Sequence, residues 1–377
     1  MPYDLVPGLE GVPIAESSVS FVDGVAGRLE YRGISVEELA KYSTFEETAY
    51  LLLFGKLPTQ SEFDGFLAEL PRYRRMKFRI TDMMKCMPER AHPMDVLQAT
   101  VAAIGMFYPR RRALDDATRR TACLRLISKI PTVIAAFENL SKGNEHIPPR
   151  LDLSLAGNFL YMLTGEMPDR EKVRMLEVCL ILHADHTMNA STFAGRVVGS
   201  TLADPYVVVS SAIGALSGPL HGGANEEAID LFKTIGTPDN VDKVIDGMIS
   251  RKEKVPGFGH RVYKTIDPRA KILREYARQL TAKSGSPFFD IAEKVNEKVS
   301  AHLGEKGVWP NVDFYSGIVY RELGIPTDCF TPVFAMARVA GWLAHWLEQL
   351  QNNRIFRPTQ RYVGKNGVAY QPIDKRP

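Results

Sequence analysis

Apolar residues along this chain recur mostly at helical spacing, and the breaks between them carry helix punctuation rather than strand-like alternation. Ser43 and Thr44 stand three residues ahead of Glu46 and Glu47, the spacing of a capping box, and open an apolar run that Gly55 and Pro58 close. Thr59 with Glu62 repeats the signal. Further helical patterns cover 94–107, about 118 through Pro131 to 140, 153–163 and 170–182, and Ala228, Ile229, Phe232 and Ile235 mark another. Strand signals are confined to Ser18-Val19-Ser20-Phe21 and Arg28-Leu29-Glu30-Tyr31, around a Gly-rich turn at 23–27, and predict one small hairpin. There is no βαβ alternation and no GxGxxG or GxxxxGK[ST] loop, which argues against a Rossmann or P-loop nucleotide fold. The pattern predicts a mostly α protein.

Two breaks stand out: Gly218 with Pro219, and Gly324 with Pro326, leaving a segment of different texture between them. They act as hinges or simply end helices, and taken alone the residues favour the second reading slightly. The chain has 377 residues, 45% of them apolar, so a large core is available without disulfide staples. Cys86, Cys123, Cys179 and Cys329 lack CxxC pairing and read as reduced core thiols. The first seven residues, Met-Pro-Tyr-Asp-Leu-Val-Pro, show neither a secretory nor a transit pattern, so a cytoplasmic location is expected. Apolar runs such as 207–220 are too short to cross a bilayer, so no membrane partner is expected. Net charge is only +3, with basic residues clustered at 72–79 and 110–125. These read as solvated helix faces, with contact to a polyanion as the competing reading.

The chemistry-bearing candidates lie mainly among the histidines. Of eight, His183 and His186 lie together, and His221 and His260 stand beside glycines that let backbone and ligand approach closely. His221, in Gly218-Pro219-Leu220-His221-Gly222-Gly223-Ala224-Asn225, precedes a helix N-terminus, where the helix dipole disfavours the imidazolium. It is expected neutral, a hydrogen-bond donor of the kind that stabilises an enol oxygen. His260 belongs to Pro256-Gly257-Phe258-Gly259-His260-Arg261-Val262-Tyr263-Lys264, running on to Asp267-Pro268-Arg269. Arginine forks match carboxylates and a lysine suits a phosphate, so this loop fits a carboxylate substrate together with a phosphorylated carrier. Asp313 lies among apolar and aromatic residues in Trp309-Pro310-Asn311-Val312-Asp313-Phe314-Tyr315, surroundings that raise a carboxyl pKa and make a better base. An aspartate before a helix is more often its cap. Arg338 interrupts the apolar run Phe334-Ala335-Met336-Ala337-Arg338-Val339-Ala340, and a buried arginine demands an anion. Arg357, in Arg354-Ile355-Phe356-Arg357-Pro358, is read by default as a surface residue.

Taken in order, these segments resemble citrate synthase across nearly the whole chain. Tyr31-Arg32-Gly33-Ile34, Glu46-Glu47-Thr48-Ala49-Tyr50, His183-Ala184-Asp185-His186 and Arg357-Pro358 fall in that family's sequence and register. The resemblance implies condensation of acetyl-CoA with oxaloacetate and water to citrate and CoA, the first step of the tricarboxylic acid cycle. Asp313 would act as base, His221 would stabilise the enolate, and His260 would polarise the ketone. His186, His260, Arg269, Arg338 and Arg357 would bind oxaloacetate, with Arg357 supplied by the partner subunit of a homodimer. Lys254, Val255, Pro256, Gly257, Phe258, Gly259 and Lys264 would form the coenzyme A site, with no metal and no tightly bound cofactor.

The implied fold is an all-α arrangement of a large domain, 1–218 plus 328–377, and a small domain, 219–327, which closes over the substrates and gives the Gly and Pro breaks a hinge role. No extra N-terminal domain of the NADH-inhibited hexameric branch and no mitochondrial leader is expected. The nearest alternative is 2-methylcitrate synthase, which uses propionyl-CoA and shares these motifs; one methylene changes binding by only about 1–3 kcal/mol. A metal hydrolase built on His183, His186 and His221 is a different class, disfavoured by the missing HExxH and the surrounding arginines. A helical nucleic-acid-binding module using the basic stretches is a third, without any recognised module around them.

Overall fold

Helices form where the local chemistry predicts starts and stops. The structure, a computed structural model, describes residues 5–108 and 115–377. Ser35 caps α1 (Val36–Tyr42), and Thr44 caps α2 (Phe45–Phe54) by accepting from the Glu47 amide. Ser43 ends α1 rather than starting α2. Thr59 and Glu62 form a reciprocal capping box on α3 (Gln60–Glu69). After α4 (Phe78–Lys85) come α5 (Pro93–Gly105), α6 (Asp116–Ser141), α7 (Leu155–Thr164) and α8 (Arg170–His183), close to the predicted spans. The remaining helices are α9 (Ala190–Ser200), α10 (Pro205–Leu216), α11 (Ala224–Ile235), α12 (Val241–Ser250), α13 (Pro268–Ser284), α14 (Phe288–Leu303), α15 (Val312–Glu322) and α16 (Phe330–Gln351).

The expected hairpin is present, with more pairing than its pattern predicts. Strands β1 (Ser20–Asp23) and β2 (Arg28–Tyr31) pair antiparallel with Ser20 opposite Tyr31, and β3 (Ile34–Ser35) adds a third strand opposite β2. Two residues are too few to show alternation, so β3 carried no signal. The sheet is pinned to the helices by the buried Tyr31, whose hydroxyl lies 3.0 Å from the Asp185 carbonyl and accepts from the Asp185 amide at 3.2 Å.

The core centres on two helices. Every residue of α16 from Phe330 to Trp346 is buried, including Arg338 and His345, as expected of a helix surrounded on all sides. It packs on α2, α6, α8, α9 and α10, while α6 is itself buried over most of 122–139. Helices α11 to α15 pack mainly on one another, with α11 reaching α16, α13 reaching α1 and α8, and α15 reaching α8. The first turn of α16 thus meets the start of α11 through Thr331 and Glu226, and the end of α8 meets α15 through His183 and Tyr320.

Among the cysteines, Cys123, Cys179 and Cys329 are buried thiols, but Cys86 is exposed at the end of α4, correcting its expected place in the core. The basic stretch 72–79 is only partly a solvated face: Arg74 is buried and donates to the carbonyls of Arg150 and Leu153 at 2.6 and 2.8 Å, tying down the entry to α7. Within 110–125, residues 110–114 lie outside the described residues; Arg120 pairs with Glu69, and Arg125 lies 4.0 Å over the Tyr108 ring. Among the described residues, no helix is long and apolar enough to cross a membrane.

The closest approach of α16 to the turn after α8 is made at Gly341. Its amide donates to the Ala184 carbonyl at 3.1 Å, and a Cβ there would stand 2.3 Å from Asp185 Oδ1 and 2.5 Å from the Ala184 oxygen. Gly341→Ala is therefore expected to lower stability by about 1–3 kcal/mol or more, because two buried backbones must separate. Denaturant unfolding of the two proteins measures this, and an unchanged midpoint would contradict it.

Candidate active site

A turn, a helix N-terminus and two loops bring the candidates together. At the end of α8, Asp185 is fully buried and accepts from Ser20 Oγ, from the Thr187 amide at 3.1 Å and from His345 Nε2 at 3.3 Å. Burial works against its charge, but His345, Arg338 and Ser20 outweigh it and hold the carboxyl below its ordinary range. This anchored turn presents His186, whose ring lies 5.0 Å from that of His260 and whose Nε2 is 3.2 Å from the Tyr263 hydroxyl. His183, its predicted neighbour, points into the core with Nδ1 on the Cys179 carbonyl at 2.7 Å.

His260 sits in a loop whose shape fixes its tautomer. Nδ1 accepts from the Val262 and Tyr263 amides at 3.0 and 3.2 Å, so in the neutral ring the proton resides on Nε2. Burial, with Arg269 and Lys264 adding to it, lowers its pKa to about 4, so it is neutral at pH 7. The sequence motif before it is clamped to the segment before Asp313. Phe258 and Pro310 form an antiparallel bridge, the Gly259 amide donates to Trp309 O, and the Asn311 amide donates to Gly257 O, both at 2.9 Å. Gly257 has φ +77°, and a Cβ there would lie 2.8 Å from Phe314 Cα, so only glycine admits this approach.

Asp313 is not the cap of its helix. Asn311 caps α15, accepting from the Asp313 amide at 2.9 Å, and leaves the carboxyl free in the second helical position. It is 9% exposed, and its Oδ1 is buried without a hydrogen-bond partner. Burial raises its pKa to about 7, against the lowering pull of Arg269 and Arg338.

His221, in the turn before α11, has Nε2 in the path of the Ser191 amide at 3.3 Å and 2.9 Å from Ser191 Oγ. A proton on that nitrogen would oppose the amide, so the neutral ring carries it on Nδ1. Ser191 is held by Asn189 Oδ1 at 2.7 Å and Trp342 Nε1 at 3.1 Å. His221 is lowered to about 4, the direction its position predicts, with burial and then Arg338 as the causes.

The two central cations differ. Arg269 is buried against Asp267 in a bidentate pair, Nε to Oδ1 at 3.0 Å and a terminal nitrogen to Oδ2 at 2.7 Å, which overcomes burial and holds its charge firmly. Arg338, 1% exposed, has its Nε on the His183 carbonyl at 2.7 Å and its guanidinium 4.6 Å over the Phe334 ring. It meets no carboxylate at ion-pair distance among the described residues, and burial lowers it to about 10. The field of Arg338 reaches His183, His186, His221 and Asp313, and that of Arg269 reaches His183, His186, His260, Asp313 and Arg338. These groups share one electrostatic neighbourhood.

Three candidates lie outside this centre. Arg357 is exposed, donating to the Pro358 carbonyl at 2.9 Å, and Lys254 and Lys264 are exposed beside the clamped loop, Lys264 through its backbone on Gly24 O at 2.9 Å. The histidines proposed for a metal do not converge: among the described residues, the three-donor cluster is Glu138, Asp328 and Cys329, elsewhere in the fold. Residues that sequence reasoning missed are Ser191, Asn189, Asn311, Asp267, Tyr263, Asp185 and Tyr31. Of these, Asn189, Asp267 and Asn311 carry a local signal, as N-cap residue types at helix starts, Asp267 with Pro268 behind it.

Fold and site together define a helical enzyme that gathers two arginines, three neutral histidines and one strongly raised carboxyl, equipment for proton transfer on a carboxylate-bearing molecule. A family model described as the citrate synthase C-terminal domain matches residues 8–359. The chain is 55% identical over 370 residues to a citrate synthase of Synechocystis, covering 98% of this chain and 93% of that one. Its fold matches the crystal structure of citrate synthase from Thermotoga maritima at a TM-score of 0.89, with 44% identity and coverage of 98% and 99%. It matches the ternary complex of carboxymethyl coenzyme A and oxaloacetate with the Thermoplasma acidophilum citrate synthase at 0.95, with 34% identity over 99% and 100%. The chain belongs to the citrate synthase family, and with that family it is an acyltransferase.

The carboxyl of Asp313 has a consequence for stability. A group held near 7 rather than 3.8 binds more protons folded than unfolded, so stability falls as pH rises between those values. Asp313→Asn is expected to be more stable than the unaltered protein at pH 8, by on the order of 2–4 kcal/mol, with the gap closing towards pH 4. Urea unfolding across that range reads it; a gap independent of pH would contradict the assignment.

Proposed function

We propose that the protein condenses acetyl-CoA with oxaloacetate and water to give citrate and CoA, the first step of the tricarboxylic acid cycle. The observation that carries the reading is a buried carboxyl raised to about 7 in the field of a buried arginine that meets no carboxylate at ion-pair distance among the described residues. A thioester α-proton is far less acidic than any carboxylic acid, so a base succeeds only where donors await the enolate oxygen. Asp313, near the operating pH, removes the methyl proton. His221, with its proton on Nδ1, donates to the developing enolate oxygen. The nucleophilic carbon attacks the oxaloacetate ketone, whose oxygen takes the Nε2 proton of His260 and becomes the hydroxyl; a solvent proton returns to His260, and Asp313 releases the one it took. Water then cleaves the resulting thioester to citrate and CoA.

Arg338 and Arg269 bind the carboxylates of oxaloacetate together with His186, and Arg357 completes the set from the partner subunit of a homodimer. The exposed setting of Arg357 supports that reading, since among the described residues its side chain is recorded only on the Pro358 carbonyl. The coenzyme A site lies along Lys254, Val255, Pro256, Gly257, Phe258 and Gly259, with Lys264 on the phosphates. Both lysines are exposed and have no carboxylate partner among the described residues. Residues 219–327 act as a small domain that closes on 1–218 plus 328–377, oxaloacetate first, so that water meets the thioester only after the carbon–carbon bond exists. The enzyme works in the cytoplasm.

Free thiol should appear from acetyl-CoA only when oxaloacetate is present, in equal amount to citrate, and more slowly from propionyl-CoA. Asp313→Ala should lower kcat by about 1,000-fold or more while oxaloacetate still binds. A faster reaction with propionyl-CoA would turn the reading to 2-methylcitrate, and undiminished turnover in the variant would remove Asp313 as the base.

A further inference from the structure

The loop carrying His260 and the helix carrying Asp313 belong to segments about 50 residues apart in the chain, and one side chain is bonded to both. Asn311 Oδ1 accepts from the Asp313 amide at 2.9 Å, while its Nδ2 donates to the Gly259 carbonyl at 2.9 Å, next to His260. Its own amide donates to Gly257 O at 2.9 Å. Pro310, paired with Phe258 in the bridge, has no N–H to offer, so the pairing has few backbone bonds and the Asn311 side chain supplies a further one. Only a primary amide both accepts and donates at this reach: aspartate lacks the donor, and serine caps a helix but is too short to span to Gly259.

From this geometry we propose that Asn311 is a positioning residue that locks the ketone-polarising histidine and the proton-abstracting carboxylate into one unit. The inference rests on the roles proposed above for His260 and Asp313. It means that the two chemical functions are not independently adjustable: displacing Asn311 misplaces both, and a displacement near 1 Å costs roughly 10- to 100-fold in rate.

Two readouts separate the halves. The ¹³C shift of the ketone carbon of bound oxaloacetate, taken at saturation, reports His260 without any thioester present. Exchange of acetyl-CoA methyl protons with deuterated solvent, in the presence of a saturated 2-hydroxy dicarboxylate that cannot condense, reports Asp313 and His221. Asn311→Ala is expected to reduce both the ketone shift and the exchange rate, the latter about tenfold or more. Asn311→Ser restores the helix cap alone, so exchange should recover while the ketone shift stays reduced. If the alanine variant does not fold, by circular dichroism, the serine variant carries the test through its ketone signal. A wild-type ketone shift in either variant overturns the coupling. A wild-type protein that itself leaves the ketone signal unmoved instead overturns the role of His260, and this inference with it.

Discussion

The centre of this molecule is built around an arginine that, among the described residues, makes no ion pair. Burying a guanidinium is costly unless a negative partner meets it, and Arg338 lies inside α16 with a backbone carbonyl and an aromatic face as its recorded company. The field of Asp185 favours its charge, but that carboxylate makes no ion pair with it, and its Oδ2 is engaged with Ser20, Thr187 and His345. Burial chiefly keeps the surrounding histidines neutral, with the field of Arg338 adding to it at His186 and His221, and the same field draws down the carboxyl of Asp313 from where burial alone would put it. In the proposed reaction, a dianionic substrate would supply what is missing, next to the groups proposed to react.

Burial of the site also keeps its histidines neutral. An imidazolium at either catalytic position would donate a proton outright, whereas a neutral ring with its tautomer fixed by backbone amides offers a directed hydrogen bond. His260 and His221 are fixed by different means, the first by the amides of its own loop and the second by Ser191 on α9. The carboxyl, in contrast, has an unpartnered buried oxygen, which keeps it basic at the cost of stability above its pKa. The scaffold beneath tolerates this because the buried length of α16, the Tyr31 anchor and the contact at Gly341 hold the Asp185 turn in place.

How much of this was legible in the chain depends on how local each interaction is. Helix starts were readable because a cap and its partner sit three residues apart, as at Thr44 and Thr59. Asp313 was readable because its apolar neighbours in sequence remain its neighbours in space, although the same reasoning gave it the capping role that Asn311 holds. His221 and His260 stood out through flanking glycines. Hidden were the interactions that join distant segments: Ser191 with His221, Asn311 with Gly259, Tyr31 with Asp185, and Gly341 with Ala184. Asp267 was in plain view two residues from Arg269, yet its pairing depends on both being buried, which spacing does not reveal.

Calorimetric titration of oxaloacetate into the protein and into Arg338→Met, without any acyl-CoA, tests the central claim most directly. The account predicts saturable binding to the unaltered protein and a loss of at least about 100-fold in the variant, whose fold is as stable as before or more so, since a buried charge has been replaced by an apolar side chain of similar length. Undiminished binding by the variant would contradict it.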